Sequence, residues 1–294
     1  MENNRLIRGI TKDKNIRFFV IDAPEVLQRA DEYFNLSLTN KIIMGRLLNA
    51  ALIMGADLKK DDDLISLILE CDGPIGGAVA TANRVGQVKG YLHNPEVETG
   101  VREDAWKFDI PKALGKGVIK IIRNIGLKKP YQGQVELRYG TIARDLTYYY
   151  ATSEQILSSM GLGVLLGDDG KIKQSSGFLV QLMPDSDEEI AVKLEHNISS
   201  FPSMNDILEM GFSIEDVLKN FILKEMDFKI LEIRKVKYYC DCSKAKFARG
   251  LKLMGEEQVK KILQEDGKLE INCHFCNKDY IYNTEDIRNI FRSK

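Results

Sequence analysis

Tyr239-Cys240-Asp241-Cys242-Ser243, answered near the C-terminus by Cys273-His274-Phe275-Cys276, is the stretch that decides how this chain is organised. Zinc favours tetrahedral coordination by thiolates, and four of them close a structural site with no open position. The Cys-x-x-Cys has ordinary zinc-knuckle spacing. The Cys-x-Cys is tighter, but an extended backbone bent over the metal can present both sulfurs. His274 stands between two ligands and could replace one; with four cysteines saturating one Zn2+ per chain, it is expected to point away. Together the pairs mark Cys240, Cys242, Cys273 and Cys276 as metal ligands and residues 232–294 as a small zinc-binding domain.

The remaining cysteine, Cys71, lies in an apolar run and reads as a buried small hydrophobe. A secreted disulfide framework would spread its pairs along the chain and leave none over. The tail carries few large apolar residues beyond Phe247, Leu251, Leu253, Ile262, Leu263, Ile271 and Ile281, so it is marginal without its metal. Structural zinc contributes roughly 10–16 kcal/mol of apparent binding energy at neutral pH, whereas whole domains are stable by only about 5–15 kcal/mol. Two readings of the centre follow. It is either a purely structural zinc ribbon, the commoner case, or a redox-sensitive one. Lys235, Lys237, Lys244, Lys246 and Arg249 flank the first pair and offset a formal charge of about -2 on a four-thiolate site. A cationic setting keeps sulfur as the thiolate that oxidants attack.

Upstream of the tail, residues 185–231 read as a helical connector. Ser203 with Asp206, and Ser213 with Asp216, resemble capping boxes with Asp in place of Glu or Gln, and Gly211 separates the two helices they start. Ile214, Val217, Leu218, Phe221 and Ile222 fall at helical spacing and form an amphipathic stripe that needs a partner. Leu208, Met210 and Phe212 lie close by in sequence, as do Leu223, Met226 and Phe228.

Residues 1–184 alternate short apolar runs with turn signals, and strands and helices do not alternate regularly, so the fold class is α+β. Arg5–Ile10 and Arg17–Ile21 flank Lys12-Asp13-Lys14-Asn15, a hairpin signature. Pro24–Phe34 opens like a helix, and a second helix carries Ile42, Ile43, Arg46, Leu47, Ala50 and Met54, with Thr39 as the expected cap. Strand signals follow at Leu64–Leu69, Gly77–Thr81, Gln87–Leu92, Val118–Ile125 and Gln134–Tyr139. A helix over Ile142–Tyr150 precedes strands at Gly163–Leu166 and Phe178–Met183, joined through a turn at Asp168-Asp169-Gly170.

At 294 residues and 44% hydrophobic, the chain can bury a sizeable core. Its formal net charge of -1 asks for no polyanion partner. From Glu232 onward there are fourteen Lys and Arg against ten Asp and Glu, thin for phosphate contacts, so a zinc-ribbon nucleic-acid-binding protein is the alternative class rather than the preferred one. Met1–Phe19 holds no continuous apolar stretch of signal-peptide length, and no later segment is apolar enough to span a bilayer; a soluble, cytoplasmic protein without membrane contact is expected.

The motifs carry a resemblance as well. The two cysteine clusters occur together with Gly73-Pro74, Gly76, Thr81-Ala82-Asn83, Val88-Lys89-Gly90-Tyr91, Asn94-Pro95, Ile142-Ala143-Arg144-Asp145-Leu146, Tyr148-Tyr149, Ser153-Glu154-Gln155, Gly161-Leu162-Gly163 and Gly177-Phe178-Leu179-Val180-Gln181. In that company the chain resembles, through nearly its whole length, the redox-regulated 33-kilodalton heat-shock chaperone family. The resemblance implies an ATP-independent holdase of the stress response, not an enzyme, inactive when reduced and zinc-bound. Under oxidative stress, from hypochlorite or from peroxide with heat, it implies zinc release with Cys240–Cys242 and Cys273–Cys276 disulfides. It further implies unfolding of the connector, binding of unfolded client proteins and homodimer formation on activation. Leu208, Met210, Phe212, Val217, Leu218, Phe221 and Ile222 are then the candidate client-binding residues. One departure is visible: Ile156 follows Ser-Glu-Gln where the family often has proline, which leaves the local turn open.

Other features read as structure. Gly73-Pro74-Ile75-Gly76-Gly77 lacks the Lys-Ser/Thr of a phosphate loop and is expected to be a turn into a strand. Tyr148-Tyr149-Tyr150 are expected to pack rather than stack on bases, and His93 and His196 have no partner pattern for a triad or a metal. No Ser/His/Asp constellation or His-Glu-x-x-His motif is present.

Overall fold

A computed structural model describes residues 4–102, 107–266 and 268–292. The α+β class expected from the sequence is the one observed, and the chain divides into two compact units, Met1–Tyr239 and Cys240–Lys294.

The first unit is built on two sheets and one central helix. Strands β1 (Arg5–Thr11) and β2 (Ile16–Asp22) form the expected hairpin, with Lys14 at positive φ and Asp13 Oδ1 accepting from the Asn15 N–H at 3.0 Å. Helices α1 (Pro24–Phe34) and α2 (Leu38–Gly55) follow. The cap of α2 is Ser37, not Thr39: Ser37 Oγ accepts from the Asn40 N–H at 3.2 Å. Thr39 is buried two residues further on, within the first turn, where its hydroxyl is taken by Glu98 and Thr99. Strands β3 (Leu64–Cys71), β4 (Ala78–Asn83), β5 (Gln87–Leu92), the short pair β6 (Val101–Arg102) and β7 (Lys107–Phe108), helix α3 (Ile110–Leu114), β8 (Gly117–Asn124) and β9 (Tyr131–Glu136) come next. Helix α4 (Ala143–Tyr149) runs into a π-turn at Tyr150–Glu154 and leads to β10 (Ser158–Leu166) and β11 (Ile172–Leu182). Asp145 explains its motif: its carboxylate accepts from the N–H groups of Tyr139, Thr141 and Ile142 at 2.7–3.1 Å, holding Ile142 at φ 64. Gln155, at φ 57, ends the π-turn, so the residue before Ile156 turns the chain without proline.

The connector contains α5 (Glu188–Ser199), α6 (Met204–Glu209), α7 (Ile214–Val217) and a π-turn at Leu218–Ile222. Both expected Ser/Asp capping boxes form. The chain then becomes strand β12 (Phe228–Lys235) and β13 (Lys237–Tyr238), so the first unit continues to Tyr239, past Glu232 where composition placed the start of the tail.

One sheet has the order β10-β11-β2-β1-β12, the other β13-β5-β4-β3-β8-β9; pairing is antiparallel except for β13 beside β5. Helix α2 is buried on almost every side and packs against strands of both sheets, which is why its sequence is apolar all round. Strand β2 alternates between two cores: Phe19 and Ile21 face the core around α2, while Phe18 and Val20 face the connector. With both faces covered, β2 reads as a continuous apolar run.

The second unit comprises α8 (Lys244–Met254), α9 (Glu256–Asp266), a hairpin of β14 (Leu269–Asn272) and β15 (Asp279–Tyr282), and α10 (Thr284–Arg292). Its core is Leu251, Val259, Leu269, Cys273, Tyr280, Tyr282 and Ile287. No helix among the described residues is long and apolar enough to cross a membrane.

Candidate metal centre

The cysteines reach one point from two local structures. Cys273–Cys276 is the loop of the β14–β15 hairpin, closed by the Cys273 N–H to the Lys278 carbonyl at 2.9 Å. Inside it, the Cys273 carbonyl accepts from the N–H groups of Cys276 and Asn277 at 3.1 and 2.8 Å, and Asn277 takes φ 54. That tight turn points both sulfurs the same way. Cys240–Cys242 is irregular chain directly before Ser243, whose hydroxyl caps α8 by accepting from the Lys246 N–H at 3.2 Å.

All four sulfurs lie within 4.8 Å of one another. Cys240 and Cys273 are 3.7 Å apart, and Cys242 and Cys276 are 3.3 Å apart. A tetrahedron with arms of about 2.3 Å, the usual zinc–sulfur distance, has edges of about 3.8 Å. Four cysteines so placed could hold a metal ion, and an all-sulfur donor set suits zinc. Exposed His274 is not part of the cluster.

Sequence reasoning missed Tyr280. Its hydroxyl lies 3.1 Å from Cys242 Sγ, and its ring packs on Phe247 at 5.1 Å. Burial pushes the Cys242 thiol up, but the hydrogen bond to Tyr280 and those to the other three cysteines outweigh it and hold the group below its ordinary value. Burial pushes Cys240 up, and pushes Cys276 up to about 11. Bringing such groups together as thiolates therefore calls for a cation among them. The signal for Tyr280 was its place in a short alternating strand just after the knuckle, but which residue reached a sulfur depended on the hairpin.

Of the flanking cations, Lys246 pairs with Asp241, and Lys244 pairs with Asp286 at 2.8 Å; Lys235 and Lys237 lie in strands of the first unit. The candidate client-binding residues divide by burial. Leu208, Val217, Leu218 and Ile222 are buried against Ile7, Phe18, Val20, Phe178 and Val180, Phe212 and Phe221 are half-buried, and Met210 is 64% exposed. Half-buried Cys71 packs on the main core, and burial pushes its thiol up, away from reactivity. Tyr149 and Tyr150 are buried core residues, as expected of that run. Gly76 and Gly77 take positive φ in the expected turn.

Fold and site define an α+β protein that carries a four-thiol site able to hold a metal ion on a separate small unit. Residues 4–283 match the model of the Hsp33 protein family. The chain is 38% identical to the 33 kDa chaperonin of Agathobacter rectalis over 283 residues, 96% of this chain and 98% of that one. It is 39% identical to the 33 kDa chaperonin of Clostridium perfringens over 293 residues, 99% and 92% of the two chains. The crystal structure of the 33 kDa chaperonin (heat shock protein 33 homolog) of Thermotoga maritima superposes with a TM-score of 0.89 at 32% identity, covering 99% of this chain and 98% of that one. The chain belongs to the Hsp33 family, and that membership supports a chaperone role.

Proposed function

We propose that the protein is a redox-regulated, ATP-independent holdase that is resting when reduced and zinc-bound. The observation that carries this reading is the convergence of four sulfurs within 4.8 Å inside a small unit whose core includes one of them, Cys273. Zinc supplies cross-linking energy there, roughly 10–16 kcal/mol. Without it, a unit with seven buried core residues among those described is marginal.

Oxidation proceeds through the thiols. Each pair of thiolates, Cys240 with Cys242 and Cys273 with Cys276, gives two electrons to one hydrogen peroxide; a sulfur–sulfur bond forms, the oxygen–oxygen bond breaks, and the two oxygens take up two protons from solvent and leave as two waters. Disulfide sulfur no longer ligates the metal, so the small unit loses its cross-link. The connector, which follows an apolar stripe along one face, then comes away from its sheet. Leu208, Val217, Leu218 and Ile222, now buried, would join Met210, Phe212 and Phe221 as a flexible surface for varied unfolded clients. Newly exposed apolar area also favours homodimers, and a cytoplasmic setting suits reduced resting thiols.

The test follows light scattering by a heat-aggregating protein with reduced and with peroxide-treated samples, while released zinc is read with a colorimetric chelator. Suppression only by the oxidised protein, reversed by a thiol reductant, is the expected result. Equal suppression in both states removes the switch.

A further inference from the structure

Strand β10 is the edge of its sheet, yet its outward backbone is not left open. In an antiparallel ladder, alternate residues turn their N–H and C=O toward the neighbouring strand and the others turn theirs away. Met160 and Val164 belong to the outward set. The Met160 N–H donates to Thr147 Oγ1 of α4 at 3.0 Å. Val164 is held twice by one connector side chain: its N–H donates to Asn205 Oδ1 at 3.2 Å, and its carbonyl accepts from Asn205 Nδ2 at 3.1 Å. The same alternation turns the N–H and C=O of Leu162, between them, outward.

A carboxamide offering one donor and one acceptor to a single strand residue does what the backbone of an added strand does. Helix α6 can come this close because β10 has Gly163 there. A Cβ at that position would lie 2.8 Å from Met204 Cγ and 2.9 Å from Asn205 Oδ1. Beside Asn205 runs a cleft of about 440 Å³ whose walls include Ile42, Phe108, Ile110 and Leu166. Arg46 lines it as well, with a buried Nε that has no hydrogen-bond partner among the described residues, and so do Met204, Asp206 and Glu209 of α6.

We infer that β10 is a strand-addition site for extended segments of unfolded polypeptide, capped in the resting fold by Asn205 and uncovered when α6 leaves. This rests on the holdase reading above and adds how a client is gripped. Main-chain hydrogen bonds to Leu162 and Val164 accept any sequence, and the apolar wall that remains when α6 leaves, Ile42, Phe108, Ile110 and Leu166, takes apolar side chains from alternate positions of the client strand. The occupant is thus an extended chain with apolar residues at every second position, not a folded surface.

The test uses the full-length protein, oxidised with peroxide and freed of zinc, and two labelled peptides of alternating valine and threonine. One is unmodified; the other is N-methylated at every residue, so that neither edge has an N–H while the side chains are unchanged. The expected result is a loss of affinity of about ten-fold on methylation, as two strand hydrogen bonds would give. The unmodified peptide should also slow amide exchange in 158–166. Equal binding of the two peptides, or protection that avoids 158–166, overturns the inference. Protection there that grows with protein concentration and needs no peptide assigns the edge to a second copy and overturns it too. In the reduced state, Asn205→Ala should bind the unmodified peptide where the parent protein does not; no gain overturns the capping role. Failure of the two readings is distinguishable. Oxidised protein that holds no unfolding substrate sinks the holdase reading and this inference with it, whereas oxidised protein that suppresses aggregation but ignores methylation sinks strand addition alone.

Discussion

The Tyr280 hydroxyl lies 3.1 Å from Cys242 Sγ, a hydrogen bond between one wall of the small unit's core and one of its four candidate ligands. A donor to a ligating sulfur stabilises the thiolate form and fixes its direction. Tyr280→Phe keeps the ring against Phe247 and removes only the donor. Metal affinity should fall about 10-fold or more, read by competition with a chromophoric chelator, while circular dichroism of the metal-loaded protein stays unchanged. Unchanged affinity would make the tyrosine a packing residue only.

Chelation of the reduced protein should dismantle one unit and spare the other. Hydrogen exchange is expected to lose protection across 240–292, where the metal's roughly 10–16 kcal/mol is missing. The strands around α2, with a far larger buried core, should keep theirs. Intact protection in α8 and α9 without metal would contradict the dependence of that unit on its ion.

Phe221 joins the connector's aromatic cluster, edge-on to Phe212 at 5.2 Å and to Phe201 at 6.1 Å. Being half-buried, its truncation to alanine should cost about 2 kcal/mol, less than a fully buried ring. Reduced, metal-bound Phe221→Ala should therefore bind more bis-ANS than its parent and need less oxidant to suppress aggregation.

Asp22 gives the same region a pH dependence. Burial raises its carboxyl pKa above the ordinary value; the Ser176 hydroxyl and Arg5 oppose this, and Glu215 of α7 adds to it. The folded chain thus holds this proton more tightly than the unfolded chain does. Its contribution is fully present below the unfolded value near ~3.9 and is lost as pH rises through the raised folded value. Asp22→Asn should unfold at higher urea than the parent at pH 7, with the difference vanishing below about pH 4. A constant difference across that range would mean the carboxyl is not the titrating group.

Much of the site was legible from spacing, because whether sulfurs can share a metal is decided by ligand identity and by a few residues of local backbone. The connector's caps were legible for the same reason: Ser203 with Asp206 and Ser213 with Asp216 act across three residues. Strand lengths were not. Gly161 and Gly163 interrupt the apolar pattern of β10 and hid its first half, although they are the positions where Phe178 and the connector approach most closely. Thr39 looked like a cap because hydroxyls favour that place, but Glu98, distant in the chain, claims it.

By itself the sequence determined which four cysteines could share a metal ion, a tail with few large apolar residues, and an apolar connector that demands cover, since each depends on residue chemistry and short-range period. Only the tertiary structure decided that α2 is enclosed by two sheets, that Tyr280 touches Cys242, and that Asn205 seals the edge at Val164. Those contacts join segments far apart in the chain, and no local pattern encodes which of many apolar or polar side chains a sheet will bring within hydrogen-bonding reach.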